Sequence, residues 1–209
     1  MINLIVTDVQ KQKNNPKRYS IFIDGQFAFG LDEIDVLYYK LFDCKEISEE
    51  KVEFIKNNIV FQKARDTAIK FLSFKQRTRK EIIVKLREKE YTDDIIAKVI
   101  RLLQKYSYID DYAYASAFFR DKFNLNGLGV SRIRFELKQK GVSDEIIERV
   151  VMENSVDETE RAVSLVERKY GVYDYDIKEK RRIEGFLARK GFSFSVIKEA
   201  FQILKERDF

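Results

Sequence analysis

Ile82-Ile83-Val84-Lys85-Leu86-Arg87-Glu88-Lys89-Glu90-Tyr91-Thr92 returns twice further along the chain. The second copy reads Ile133-Arg134-Phe135-Glu136-Leu137-Lys138-Gln139-Lys140-Gly141-Val142-Ser143. The third reads Ile183-Glu184-Gly185-Phe186-Leu187-Ala188-Arg189-Lys190-Gly191-Phe192-Ser193. The central leucines (86, 137 and 187) stand 51 and then 50 residues apart, and each copy resumes with an aliphatic pair, Ile95-Ile96, Ile146-Ile147 and Val196-Ile197. Self-similarity at a period of ~50 residues, with apolar positions at helical spacing, marks a helical repeat. Stacked repeats give an elongated array with a long surface, which suits binding along a polymer better than enclosing a catalytic pocket.

The ends of the helices are written into the repeat. Thr78-Arg79-Lys80-Glu81 is a capping box, in which the threonine hydroxyl and the glutamate carboxylate satisfy the first free amides of the helix they open. Thr92, Ser143 and Ser193 stand at the start of the following helix, and Gly141 and Gly191 just before, where a helix C-terminus favours a left-handed residue. Ala64, Ala68, Phe71 and Leu72 form the stripe of a helix ahead of the first copy, so each repeat is a three-helix unit.

Upstream the pattern changes period. Leu4 to Val9 and Tyr19 to Ile23 read as short strands, and Asp24-Gly25 as a two-residue hairpin turn into Gln26-Phe27-Ala28-Phe29. Gly30 to Phe42 reads as a short helix, and Ser48 as the N-cap of the next, with an acidic first turn. A ribbon of two or three strands is marginal alone and should pack on a neighbouring helix. The expected fold is therefore mainly α, an elongated array of three three-helix repeats with a small N-terminal β-hairpin/helix extension. Its divisions are 1–60, a β-ribbon plus helices, followed by repeats at 61–110, 111–157 and 158–209. Deletion of residues 1–60 is expected to leave the repeats folded.

Composition narrows the functional classes. A hydrophobic fraction of 44% supplies real cores, and one proline and eight glycines in 209 residues leave helices uninterrupted. Histidine is absent, which removes the commonest general base and metal ligand. The single cysteine, Cys44, cannot form an internal disulfide and fits a reducing, cytoplasmic compartment. No apolar run approaches the ~20 residues of a membrane span, and the first residues lack the basic start of a signal peptide. Gly127-Leu128-Gly129 lacks the rest of a phosphate loop and reads as a flexible helix connection, while Asp110-Asp111 reads as a helix cap rather than a metal or acid–base pair. No constellation makes an enzyme, and no catalytic residue, metal ligand or cofactor is expected.

The charge balance is consistent with an anionic partner, although by itself it fits long helices solvated by Lys and Glu better. Residues 1–60 carry 8 Lys+Arg against 10 Asp+Glu, whereas residues 61–209 carry 32 against 25. The basic residues gather around each central helix: Lys75, Arg77, Lys80 and Arg87 in the first repeat, Arg132, Arg134 and Lys138 in the second, and Lys178, Arg181, Arg182 and Arg189 in the third. Arginine suits phosphate and carboxylate because it donates in pairs. The alternative is a solvated surface whose arginines pair with Glu81, Glu88, Glu136 and Glu184, and the residues alone leave the two readings even.

Four blocks in order resemble the RecX family of regulatory proteins over essentially the whole chain. They are Leu72-Ser73-Phe74-Lys75-Gln76-Arg77-Thr78-Arg79-Lys80-Glu81-Ile82, then Tyr108-Ile109-Asp110-Asp111-Tyr112-Ala113-Tyr114-Ala115, then Gly129 through Lys140-Gly141-Val142, then Lys180-Arg181-Arg182-Ile183 with Phe186 through Phe192. The N-terminal Phe22-Ile23-Asp24-Gly25-Gln26-Phe27-Ala28-Phe29 resembles the family's longer members. The resemblance implies a non-enzymatic modulator of the RecA recombinase that lies in the groove of the RecA–single-stranded DNA filament and hinders its growth, strand exchange and co-protease activity. It implies a monomer whose contact with single-stranded DNA is weak or indirect. Arg77, Arg132 and Arg182 are then expected to serve filament contact more than folding. The runner-up is a stand-alone, sequence-independent DNA-binding protein. The chain departs from the family pattern at Glu90, where glycine is typical, and at Val130, where proline often follows glycine.

Overall fold

The computed structural model describes residues 3–13, 15–154, 157–171 and 174–207. Asn14, within the loop expected between the first two strands, lies outside that set, as do Met1 and Ile2. The chain divides into two compact units, Met1–Ile109 and Asp110–Phe209.

The first unit opens with strands β1 (Asn3–Lys11), β2 (Arg18–Ile23) and β3 (Gln26–Asp32). Asp24 and Gly25 take φ of 48° and 77°, the left-handed pair that a two-residue hairpin turn requires, and Phe22 faces Phe27 across it. β3 runs three residues further than the sequence pattern predicts. Phe29, at the expected end of the strand, and Leu31, in the segment expected to be helical, are both buried while their backbones pair with Ile21 and Tyr19, so strand pairing takes Gly30 to Asp32 from the expected helix. Helix α1 is correspondingly short (Glu33–Tyr38). A fourth strand, β4 (Glu46–Ser48), has no visible sequence pattern at three residues and pairs antiparallel with β1 through Leu4 and Ile47. The result is a four-stranded sheet ordered β3-β2-β1-β4 instead of a ribbon of two or three.

Ser48 then caps α2 (Glu49–Ile55), its hydroxyl accepting from the Lys51 amide. A π-turn at Lys56–Val60 leads without a break into α3 (Phe61–Leu72), so residue 60 falls inside a continuous helical run. The first repeat is completed by α4 (Arg79–Arg87) and α5 (Asp93–Lys105). The expected capping box at Thr78 and Glu81 is present in both directions. Thr92 holds the N-cap position of α5, but its hydroxyl makes no cap hydrogen bond.

Sheet and first repeat share one core. Ile21, Phe29, Leu31, Val36, Val52 and Ile55 are buried in the same cluster as Ala64, Ala68, Ile82, Leu86 and Ile95. The polar edge is tied as well. Arg18 lies over the Tyr91 ring at 4.3 Å, and Lys63 bridges Asp32 and Asp35. Burial alone would lower the pKa of the Lys63 ammonium, but the two carboxylates outweigh it and the pKa is raised.

The second unit holds the other two repeats. Repeat two comprises α6 (Asp111–Arg120) with a π-turn at Asp121–Leu125, α7 (Val130–Gln139) and α8 (Asp144–Asn154). Repeat three comprises α9 (Glu158–Tyr170), α10 (Ile177–Lys190) and α11 (Phe194–Arg207). Asp110 caps α6 by accepting from the amides of Tyr112 and Ala113, which is the role its position predicts. Each repeat buries its own cluster, around Phe119, Ile133 and Leu137 in one and Val163, Ile183 and Leu187 in the other.

The central helix ends identically three times. The amides of Glu90, Gly141 and Gly191 donate to Arg87, Lys138 and Ala188, and the next amides return to Leu86, Leu137 and Leu187. Left-handed φ values of 56°, 83° and 92° follow, so Glu90 adopts the conformation of its counterparts Gly141 and Gly191.

Candidate functional site

The basic residues singled out by the sequence lie on or just before α4, α7 and α10, but their environments differ between repeats. In the first, Arg77 is packed rather than free. Its guanidinium stacks 3.9 Å above the Phe71 ring, its side chain is only 16% exposed, and Glu81 lies 3.9 Å away. Stacking of that kind contributes about 1–2 kcal/mol when partly desolvated, so Arg77 serves folding as well as charge. Lys75 is exposed and makes no ion pair among the described residues, and Lys80 is exposed. Arg87 donates to Asp93 on α5 at 3.0 Å. Arg79 and Arg101 line the same shallow cleft as Arg87 and Asp93. The sequence reading passed over both, because only the packing of α4 on α5 brings them together.

In the second repeat all three candidates are neutralised. Arg132 pairs with Glu136 one turn on at 2.9 Å, Arg134 with Glu148 at 2.6 Å, and Lys138 with Asp144 at 2.9 Å. The last two form rungs from α7 to α8, and Lys138–Asp144 occupies the repeat position of Arg87–Asp93. Exposed pairs of this kind contribute about 0.2–1 kcal/mol, so opening one to meet a phosphate costs little.

The third repeat is built differently. Aligned on the central leucine, Arg182 stands where Arg132 does, but Phe186 replaces Glu136. Ala188 and Phe194 replace Lys138 and Asp144. Lys178, Arg181, Arg182 and Arg189 are all exposed and make no ion pair among the described residues. Lys169, which the sequence reading did not select, sits 4.0 Å above Phe186, and Arg182 lies 6.0 Å from the Tyr170 ring. The question left even by the sequence thus divides by repeat: carboxylates pair the three candidates of the second, whereas the four of the third meet none among the described residues, although Lys180 on the same helix meets Asp174 at 3.6 Å.

The joint between these two repeats is tight. The Gly129 amide donates to Lys190 O at 2.9 Å, and the Lys190 ammonium to Asn126 O at 2.7 Å. A side chain on Gly129 would place its Cβ 2.3 Å from Gly191 O. The Gly127–Gly129 segment, expected to be a flexible connection, is instead a close backbone junction. Val130 contributes what a proline would lack, an amide that donates to Glu158 at 2.8 Å. Burial raises the pKa of the Glu158 carboxyl, opposed by that amide and by Arg134.

Among the described residues no group of His, Cys, Asp or Glu is placed to hold a metal ion, and no helix is long and apolar enough to cross a membrane. Cys44 is half-buried and directs its thiol to Glu46 O at 2.8 Å.

Comparison with known proteins matches this architecture segment by segment. Residues 4–48 match the regulatory protein RecX N-terminal domain, and residues 64–102, 110–151 and 156–201 match the first, second and third RecX three-helix domains. The chain is 32% identical over 202 residues to "Regulatory protein RecX" of Clostridium botulinum (strain Eklund 17B / Type B), covering 93% of each. It is 32% identical over 209 residues to "Regulatory protein RecX" of Bacillus subtilis (strain 168), covering 97% of this chain and 78% of that one. A solved structure described as "Crystal structure of regulatory protein RecX" aligns with a TM-score of 0.64 at 26% identity, over 95% of this chain and 99% of the other.

Proposed function

The chain belongs to the RecX family of regulatory proteins, and from that premise we propose that it binds the RecA–single-stranded DNA filament and restrains its growth, recombinase activity and co-protease activity. The observation that carries this reading is the recurrence of one three-helix unit with cations on or beside its central helix in every copy. A filament presents the same surface at regular intervals, and a repeated unit can meet successive subunits where a single site cannot. Regulation then needs no chemistry, because a ligand that binds assembled subunits differently from free ones shifts assembly by that difference alone. We take the protein to act as a monomer in the cytoplasm without a cofactor.

The test is the single-stranded-DNA-dependent ATPase of the cognate RecA as this protein is titrated in. A progressive fall well below one molecule per RecA protomer is the expected result. No effect with the protein in excess and bound to DNA would leave the second reading, a stand-alone DNA-binding protein. The unpaired cations of the third repeat favour that alternative.

A further inference from the structure

We infer that the outer face of α10 is a subsite for the phosphodiester backbone of single-stranded nucleic acid, formed by Lys169, Lys178, Arg182 and Arg189 around Gly185 and the Tyr170–Phe186 ring pair. The inference rests on the filament reading and deepens it, by assigning DNA contact to one repeat of the three.

Three observations converge. The first is the charge. Lys178, Arg182, Gly185 and Arg189 follow one another at helical spacing along a single stripe about 16 Å long, and that stripe carries no carboxylate. The second repeat has a carboxylate, Glu136, at the position of Phe186, where it holds Arg132. Exchanging the acid for an aromatic ring changes how a cation is held. A ring positions Lys169 at 4.0 Å without neutralising it, so the charge is pre-placed and still available to a phosphate.

The second observation is Gly185. Glycine within a helix is costly relative to alanine, and packing does not require it here. A Cβ at that position would meet only the far end of Arg189, at 3.2 Å. The equivalent residues, Val84 and Phe135, carry exposed side chains. In the third repeat the same place is an open notch between two arginines, which lets a ligand backbone approach the helix closely.

The third is aromatic surface. Tyr170 and Phe186 meet edge to face at 5.8 Å, and Phe194, where the other repeats have aspartate, is 82% exposed at the start of α11. Unstacked bases use ring faces and duplexes hide them, so the combination fits a single strand.

The experiment uses full-length protein and a fluorescently labelled oligothymidylate, without recombinase, with anisotropy read across a salt series. Lys169→Gln/Arg182→Gln should weaken binding about tenfold and reduce the salt slope by about 1.4, the value for two phosphate contacts on a single strand. Arg132→Gln/Lys138→Gln should stay within about twofold. Gly185→Phe, which copies the second repeat, should weaken binding while thermal unfolding is unchanged. Equal losses from both charge pairs would overturn the subsite in favour of diffuse attraction. So would an unaffected oligothymidylate affinity. If that result came with a lost effect on the recombinase ATPase, α10 would be a protein contact and the filament reading would stand. If oligothymidylate binding falls as expected but the wild-type protein leaves the ATPase untouched, the subsite stands and the filament reading fails.

Discussion

Glu90 shows how a single residue can break a local rule without breaking the fold. Its two counterparts, Gly141 and Gly191, enter the left-handed region freely, whereas Glu90 does so at φ 56° with a side chain attached. The cost of that conformation is about 1–2 kcal/mol, set against the greater freedom that glycine loses on folding, about 0.5–1 kcal/mol. The Glu90 carboxylate recovers little, since its contact with the Ser20 hydroxyl is long at 3.4 Å. Glu90→Gly should therefore stabilise the first unit by about 0.5–1 kcal/mol, seen as a higher urea midpoint at constant slope. A lower midpoint would mean that the sheet contact outweighs the strain. Glycine or not, the three caps share one hydrogen-bond pattern, because the leucine at each helix end must be buried in the same way.

Between elements, space matters more than conformation. Gly129 has an ordinary extended backbone, φ −72° and ψ 158°, so its torsions do not demand glycine. What demands it is the backbone of Gly191 and Phe192 from the next repeat, 2.3–2.6 Å from where a Cβ would stand. Backbone cannot rotate aside as a side chain does. Gly129→Ala should cost about 1–3 kcal/mol by forcing α7 and α10 apart. Gly25→Ala, with open space around it, tests conformation alone. Parallel urea titrations of the two variants check this, and a neutral Gly129→Ala would show that the joint yields. The sequence placed the caps at Ser48, Thr78 and Asp110 correctly, since a cap is decided by residues three or four apart, although the Thr92 hydroxyl makes no cap hydrogen bond. It missed this junction, since no pattern within Gly127-Leu128-Gly129 reveals which distant backbone will pack on it.

For the whole molecule, the distribution of cores decides what can be cut. Residues 110–209 bury two clusters of their own and should fold as an isolated fragment with cooperative thermal unfolding. A chain beginning at residue 61 loses Ile21, Phe29, Leu31, Val52 and Ile55 from the cluster that also buries Ala64, Ile82 and Leu86. Its first repeat should lose amide-exchange protection while the second and third keep theirs. Equal protection in all three repeats would show the first to be self-sufficient, as its hydrophobic stripe alone implies.

The sequence by itself determined the period, the three-helix unit, the capping residues, the hairpin turn and the basic bias of residues 61–209. These depend on neighbours in the chain, and hydrophobic spacing or capping chemistry reads them directly. Only the tertiary structure decided that Gly30, Leu31 and Asp32 continue the strand, that a fourth strand completes the sheet, and which cations are neutralised. A strand edge is satisfied by a partner strand far away in sequence. An arginine is paired or unpaired according to the carboxylate that packing sets beside it, and so Arg134 meets Glu148 while Arg182 meets a ring.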